Sequence, residues 1–79
     1  METGQERVNT IEEEILRYLL ERPHAADTID GIRQWWLPRI RLDAATSEIK
    51  QALEHLVLQG KVVASELPDG NIVFKKASP

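Results

Sequence analysis

The chain of 79 residues contains no cysteine and only four glycines and two histidines. Without cysteine there is no disulfide, no thiolate nucleophile and no cysteine-ligated zinc. His24 and His55 lie far apart in the sequence, and His55 has no better neighbour at helical spacing than Gln51 or Gln59. The glycines are too scattered to form a phosphate-binding loop. We therefore expect no metal site and no cofactor.

A residue arrangement typical of an enzyme is also missing. No serine lies in a Gly-x-Ser-x-Gly turn, the kind of turn that presents a nucleophile. The consecutive carboxylates Glu12, Glu13 and Glu14 are explained by the start of a helix, where the helix dipole favours negative charge. The sequence therefore predicts a protein that binds a partner and is not an enzyme.

Long hydrophobic runs are absent. The apolar runs are short, as in Trp35-Trp36-Leu37 and Leu56-Val57-Leu58, whereas a membrane-spanning helix needs roughly 20 residues. The first residues show neither the basic nor the apolar region of a signal peptide. With 42% hydrophobic and 29% charged residues, the composition is that of one globular domain, which we expect to be cytoplasmic and without a membrane partner. The net charge of −3 disfavours nonspecific attraction to nucleic acid.

The first predicted helix follows a polar N-terminal stretch. Thr10 and Glu13 form a capping box at the start of this helix, and Pro23 stops it. The sequence therefore predicts a flexible N-terminal segment over residues 1–8, one domain over residues 9–76 and a tail over residues 77–79.

Two further helices are predicted from their caps and their apolar spacing. The second runs from Asp27, its N-cap, to Pro38, and it contains Gly31. Because a glycine inside a helix costs about 1 kcal/mol relative to alanine, we expect this one to permit close packing. The best N-cap of the third helix is Asp43, with later starts available at Thr46-Ser47.

The hydrophobic period changes after the third helix. Gly60 stands where a helix commonly ends in a left-handed residue. The stretches 61–67 and 71–75 are rich in Val, Ile and Phe, and they flank Pro68-Asp69-Gly70, a typical turn sequence. The sequence therefore predicts a β-hairpin, which must pack on the helices to be stable.

Three helices followed by a hairpin, with a short connector between the second and third helix, resemble the winged helix-turn-helix superfamily over residues 8–76. The most specific part runs from Ser47 to Val62, and Pro68-Asp69-Gly70 matches the tip of a short wing. The resemblance implies an α+β fold, a three-helix bundle followed by a two-stranded β-hairpin wing. Residues 25–37, with their double tryptophan, differ from the usual second helix of DNA-binding members and are similar to small bacterial proteins with a double tryptophan there.

The two neighbouring tryptophans are the main candidates for a binding surface. On a helix, Trp35 and Trp36 point about 100° apart, so one can be fully buried while the other lies at the edge of the apolar stripe. Either both belong to the core, or the less buried ring contacts a partner protein. The first hypothesis is therefore a protein-interaction, adaptor or regulatory module whose hydrophobic anchors are Trp35, Trp36 and Leu37.

The alternative hypothesis is a DNA-binding transcriptional regulator, which the resemblance implies. Its third helix would enter the major groove, and a homodimer would read two half-sites. The residues that would contact DNA are Arg39, Arg41, Lys50, Gln51 and Lys75. Residues 43–60 carry three acidic residues and one basic residue, and this balance opposes binding to phosphates. Another protein is therefore the favoured partner, with DNA and a homodimer left open.

Overall fold

The structure, a computed structural model, describes residues 4–37 and 45–77 of the chain. In chain order the elements of these ranges are α1 (Gly4–Glu21), β1 (Ala26–Asp27), α2 (Ile29–Gly31), a π-helical turn (Ile32–Trp36), α3 (Thr46–Leu58), β2 (Val62–Glu66) and β3 (Ile72–Lys76). The fold class is α+β, as predicted. Since the π-helical turn continues α2 directly, the described ranges contain three helical segments, which are combined with a three-stranded antiparallel sheet of order β1-β3-β2.

The predicted hairpin is confirmed. Strands β2 and β3 pair antiparallel, from Val62 opposite Lys76 to Glu66 opposite Ile72. The turn is closed by the Leu67 N–H, which donates to the Asn71 carbonyl at 2.7 Å. Gly70 has a φ of +90°, a backbone conformation that favours glycine, and this explains why the turn sequence ends in that residue.

The sheet differs from the predicted two-stranded wing because a third strand joins it. Asp27, predicted as the N-cap of the second helix, lies in β1, where it pairs with Phe74. Thr28 is the N-cap, and its Oγ1 accepts a hydrogen bond from the Gly31 N–H at 3.2 Å. The predicted close packing at Gly31 is confirmed, since a Cβ there would overlap the carboxylate of Asp27.

Helix α1 begins six residues before the predicted capping box. Thr10 caps nothing, and its Oγ1 instead donates to the carbonyl of Glu6 inside the helix. Residues 4–8, predicted to belong to a flexible segment, are helical, and Val8 is buried in the core. The polar sequence before Thr10 hid this extension, because a single apolar residue gives no periodicity.

Helix α3 has Ala45 as its N-cap, and the predicted cap Asp43 lies outside the described residues. The Ala45 N–H donates to Glu48 Oε1 at 2.9 Å, so the third residue of the helix caps its start. At the other end Gly60 has a φ of +73°, as predicted, and the Lys61 N–H donates to the Leu56 carbonyl at 3.0 Å.

The core joins the helices to one face of the sheet. In the described part of the chain its buried hydrophobic side chains are Val8, Ile11, Ile15, Leu19, Ile32, Trp36, Leu37, Ile49, Ala52, Leu53, Leu56 and Val62. Within α1 and α3 the buried members lie on one face of each helix, at the spacing of three to four residues that is typical of an amphipathic helix, with Ala52 and Leu53 adjacent in α3. Val62 of β2 is buried and Phe74 of β3 packs partly against the same cluster, so the hairpin rests on the helices.

Candidate functional site

The π-helical turn places the two tryptophans in opposite environments. Trp36 is 4% exposed, and its ring stacks on Tyr18 with centroids 4.5 Å apart and planes 11° apart. Trp35 is 66% exposed. Adjacent side chains on a helix were expected to point in different directions, and this is confirmed: Trp36 is the buried ring and Trp35 the exposed one.

The structure reduces the predicted three-residue anchor to one side chain. Trp36 and Leu37 are both buried in the core, so neither offers surface to a partner in this conformation. Trp35 keeps most of its indole in solvent, next to the exposed residues Arg33 and Gln34. Any tryptophan-based interface of this protein must therefore be centred on Trp35.

The backbone under Trp35 is held by its neighbours. Trp36 stacks on Tyr18 in α1, and the guanidinium of Arg22 lies 4.6 Å from the centroid of the same tyrosine ring. The Leu37 N–H donates to the Ile32 carbonyl, which closes the turn. Because both flanks of the turn are packed, the exposed indole projects from a fixed base, and binding would cost little backbone entropy.

The predicted DNA contacts are only partly brought together. Arg39 and Arg41 lie outside the described residues. Lys50 and Gln51 are exposed on α3, and Lys75 is exposed on β3 opposite Val63. Lys50 lines a groove between the start of α2, the outer face of α3 and the hairpin tip, and the other lining residues are Thr28, Ile29, Asp30, Thr46, Glu54, Gly70, Asn71, Ile72 and Phe74.

The electrostatics of this groove are mixed. Lys50 is its one cation among the described residues, and Asp30 and Glu54 line it as well. Two carboxylates and one ammonium group do not favour binding of a DNA backbone, because each carboxylate repels the phosphates. The structure therefore brings one of the five predicted contacts, Lys50, next to the hairpin tip without forming a basic surface there.

Two side-chain pairs join α1 to α3 beside the core. Arg7 Nε donates to Glu48 Oε2 at 2.6 Å and Arg7 Nη2 donates to Glu48 Oε1 at 3.2 Å. His55 Nδ1 lies 3.1 Å from Glu12 Oε2, so this histidine has a structural partner. Hydrogen bonds from Arg7, and then from the Ala45 N–H, lower the pKa of Glu48 from 4.5 to about 2.

This lowered pKa predicts a specific pH dependence of stability. The unfolded chain protonates Glu48 near pH 4.5, whereas the folded protein does so only near pH 2. The stabilisation from this carboxylate is therefore complete above about pH 4.5 and is lost as the pH falls toward 2. We expect the difference in urea midpoint between wild type and Glu48→Gln to shrink across that interval.

The matched control is Arg33→Ala, which removes an exposed arginine that has no ion pair with any described residue. The difference in urea midpoint between wild type and Arg33→Ala should stay nearly constant over the same pH interval. If the difference in urea midpoint between wild type and Glu48→Gln also stayed constant, the lowered pKa of Glu48 would be contradicted.

No family model, curated protein or solved structure matches the chain. Across residues 4–37 and 45–77, no helix is long and apolar enough to cross a membrane. In the same two ranges no group of three or more histidine, aspartate or glutamate side chains could hold a metal ion.

Proposed function

We propose that the protein is a small non-catalytic winged-helix module that binds another protein through Trp35. The order of the helical segments and the hairpin on their C-terminal side support the winged-helix interpretation. Strand β1 is compatible with it, since it pairs with β3 and so ties the start of α2 to the hairpin. The interaction role depends on the tryptophan.

The observation that carries this proposal is the 66% exposure of Trp35 on a packed helical turn. An exposed indole is large and rigid, and it can bury much area while its N–H finds a hydrogen-bond acceptor. Tryptophan is accordingly enriched among the residues that dominate binding energies at protein interfaces. Its core neighbour Trp36 already secures the helix, so the fold itself does not require a second tryptophan.

The proposal is tested by capture with three immobilised baits: wild type, Trp35→Ala and Leu58→Ala. Leu58 is 84% exposed and lies on α3, so it is a matched control for the loss of an exposed apolar side chain. A partner should be retained by wild type and Leu58→Ala and lost by Trp35→Ala. With the purified partner, calorimetry should show that Trp35→Ala costs about 2 kcal/mol or more, roughly a 30-fold rise in Kd. Partners that bind all three baits equally would refute the proposal.

DNA binding is the second candidate function; the position of Lys50 beside the hairpin tip supports it, whereas the carboxylates of Asp30 and Glu54 in the same groove oppose it. This groove brings Lys50 and Thr46 of α3 to the same opening as Asn71, so one helix face and one turn could contact a duplex together. Gln51 lies one residue further along α3 and is exposed, and its amide is suited to adenine.

The two candidates are separated by an amide NMR titration with a mixed-sequence duplex of about 20 base pairs at low salt. Under the first proposal the spectrum stays unchanged. Shifts confined to α3 and the hairpin tip that fade as salt is raised, and that disappear in Lys50→Ala, would instead establish the DNA-binding function.

A further inference from the structure

A second surface, which shares no residue with the turn around Trp35, lies between α1 and the base of the hairpin. It is an open groove of about 370 Å³. One wall is formed by Leu16, Leu19 and Leu20 of α1, and the other by Gly60, Lys61, Lys76 and Ala77. We refer to these seven residues as the leucine–lysine groove.

The leucine wall exposes apolar surface that the described residues leave uncovered. Leu20 is 70% exposed, although the helical spacing of α1 places it next to the core stripe. Leu16 is partly buried and lies one helical turn before Leu20, so the two side chains form a ridge along α1. Leu19 is fully buried and joins the ridge to the core. The ridge is therefore fixed in place.

The opposite wall carries positive charge on an acidic molecule. Lys61 and Lys76 are exposed, and neither forms an ion pair with a described residue. These cations are close together because Lys76 pairs with Val62 across the hairpin and the Ala77 N–H donates to the Lys61 carbonyl at 3.1 Å. The net charge of the whole chain is −3, so this positive wall is a local feature.

We propose that the leucine–lysine groove binds an acidic amphipathic helix of a partner protein. Leucines spaced at i, i+3, i+4 and i+7 on such a helix would pack on the ridge formed by Leu16 and Leu20. Carboxylates on the adjacent face of that helix would lie over Lys61 and Lys76, which supply both attraction and orientation. An apolar wall facing a cationic wall matches this pattern of side chains, whereas a basic or uniformly apolar helix would leave the lysines unpaired.

The probe is a peptide with blocked ends that consists of two repeats of Glu-Leu-Ala-Glu-Leu-Leu-Ala, and the control peptide has lysine in place of every glutamate. In amide NMR titrations the acidic peptide should shift residues 16–20, 60–61 and 76–77. The basic peptide should leave them unchanged. Equal binding of the two peptides would overturn the proposal, since the lysines would then give the groove no preference for an acidic helix.

Variants of the protein separate the two walls. Leu20→Gln should weaken binding of the acidic peptide at least roughly tenfold. Lys61→Glu combined with Lys76→Glu should weaken it by a similar factor and should create binding of the basic peptide. Leu58→Gln and Trp35→Ala change exposed side chains outside the groove and should leave the affinity unaltered. An unchanged affinity in Leu20→Gln would refute the site.

Two other occupants of the groove would give different changes in the amide NMR spectrum. Shifts of the same residues on simple concentration of the protein, without peptide, would assign the groove to a second copy of the chain and overturn the proposal. Shifts induced by decanoate but not by the acidic peptide would assign it to a fatty acid instead. Because Trp35→Ala keeps the groove intact, failure of the groove proposal and failure of the proposed function are observed in different variants.

Discussion

Replacing Trp36 by alanine is expected to unfold most of the protein, whereas the same replacement at Trp35 leaves the fold intact. Trp36 is buried and stacks on Tyr18, so its loss removes both apolar burial and an aromatic contact. Truncation of a buried tryptophan typically costs about 3–5 kcal/mol. A single core in a domain of this size supplies roughly the same amount in total. Trp35 is 66% exposed, and changes at exposed positions usually stay within about 0.5 kcal/mol.

Urea unfolding followed by circular dichroism measures both effects. Trp35→Ala should keep the wild-type midpoint, and Trp36→Ala should show little native signal even without urea. Trp36→Phe is the graded control, because phenylalanine retains a ring that can stack on Tyr18, and it should recover a cooperative transition at a lower midpoint. Equal stability losses at the two positions would show that Trp35 belongs to the folded core.

This pair of variants also decides how a binding experiment is interpreted. If Trp35→Ala folds like wild type, the loss of a partner in that variant reports on the interface and not on the stability of the module. Loss of binding can be distinguished from loss of stability in the same way at Leu20 and Leu58, which are 70% and 84% exposed on different helices. Trp35, Leu20 and Leu58 can thus each be replaced without changing the core.

Much of the fold could be predicted from the sequence, because its signals are local. The apolar stripes of α1 and α3 follow from 3.6-residue spacing, and Gly60 and Gly70 mark the positions where a left-handed backbone is needed. The asymmetry of Trp35 and Trp36 followed from helical geometry, although which ring is buried did not. That choice depends on where Tyr18 lies in three dimensions.

The missed features depend on contacts between distant residues. Strand β1 is only two residues long, too short for a pattern, and it exists because β3 offers a free edge at Lys75 and Phe74. The leucine–lysine groove joins the end of α1 to residues about 40 and 60 positions later, so no spacing rule reveals it. Leu20 fits the apolar stripe of α1 by sequence, yet it is exposed because no described element covers that side of the helix.

The early start of α1 leads to the second large expected effect, a loss of more than about 4 kcal/mol in Val8→Asp. Val8 is 1% exposed in a core cluster without buried polar side chains, so a carboxylate there finds no described partner in the core. A buried unpaired charge is among the costliest single changes in a protein, and its pKa would rise as the group tries to become neutral. We therefore expect Val8→Asp to be unfolded at neutral pH.

Asn9→Asp is the matched control, since it introduces the same side chain at the next position, which is exposed. Asn9 Oδ1 accepts a hydrogen bond from Gln5 Nε2 at 3.0 Å, and a carboxylate oxygen accepts equally well. The new charge lies three and four residues before Glu12 and Glu13, which costs only a few tenths of a kcal/mol at an exposed position, so this variant should have a urea midpoint close to that of wild type. If residues 4–8 were instead a solvated segment, both variants would unfold like wild type. The contrast between adjacent positions therefore tests whether α1 carries the core from Val8 onward, and with it whether Arg7 is placed to hold Glu48 at the start of α3.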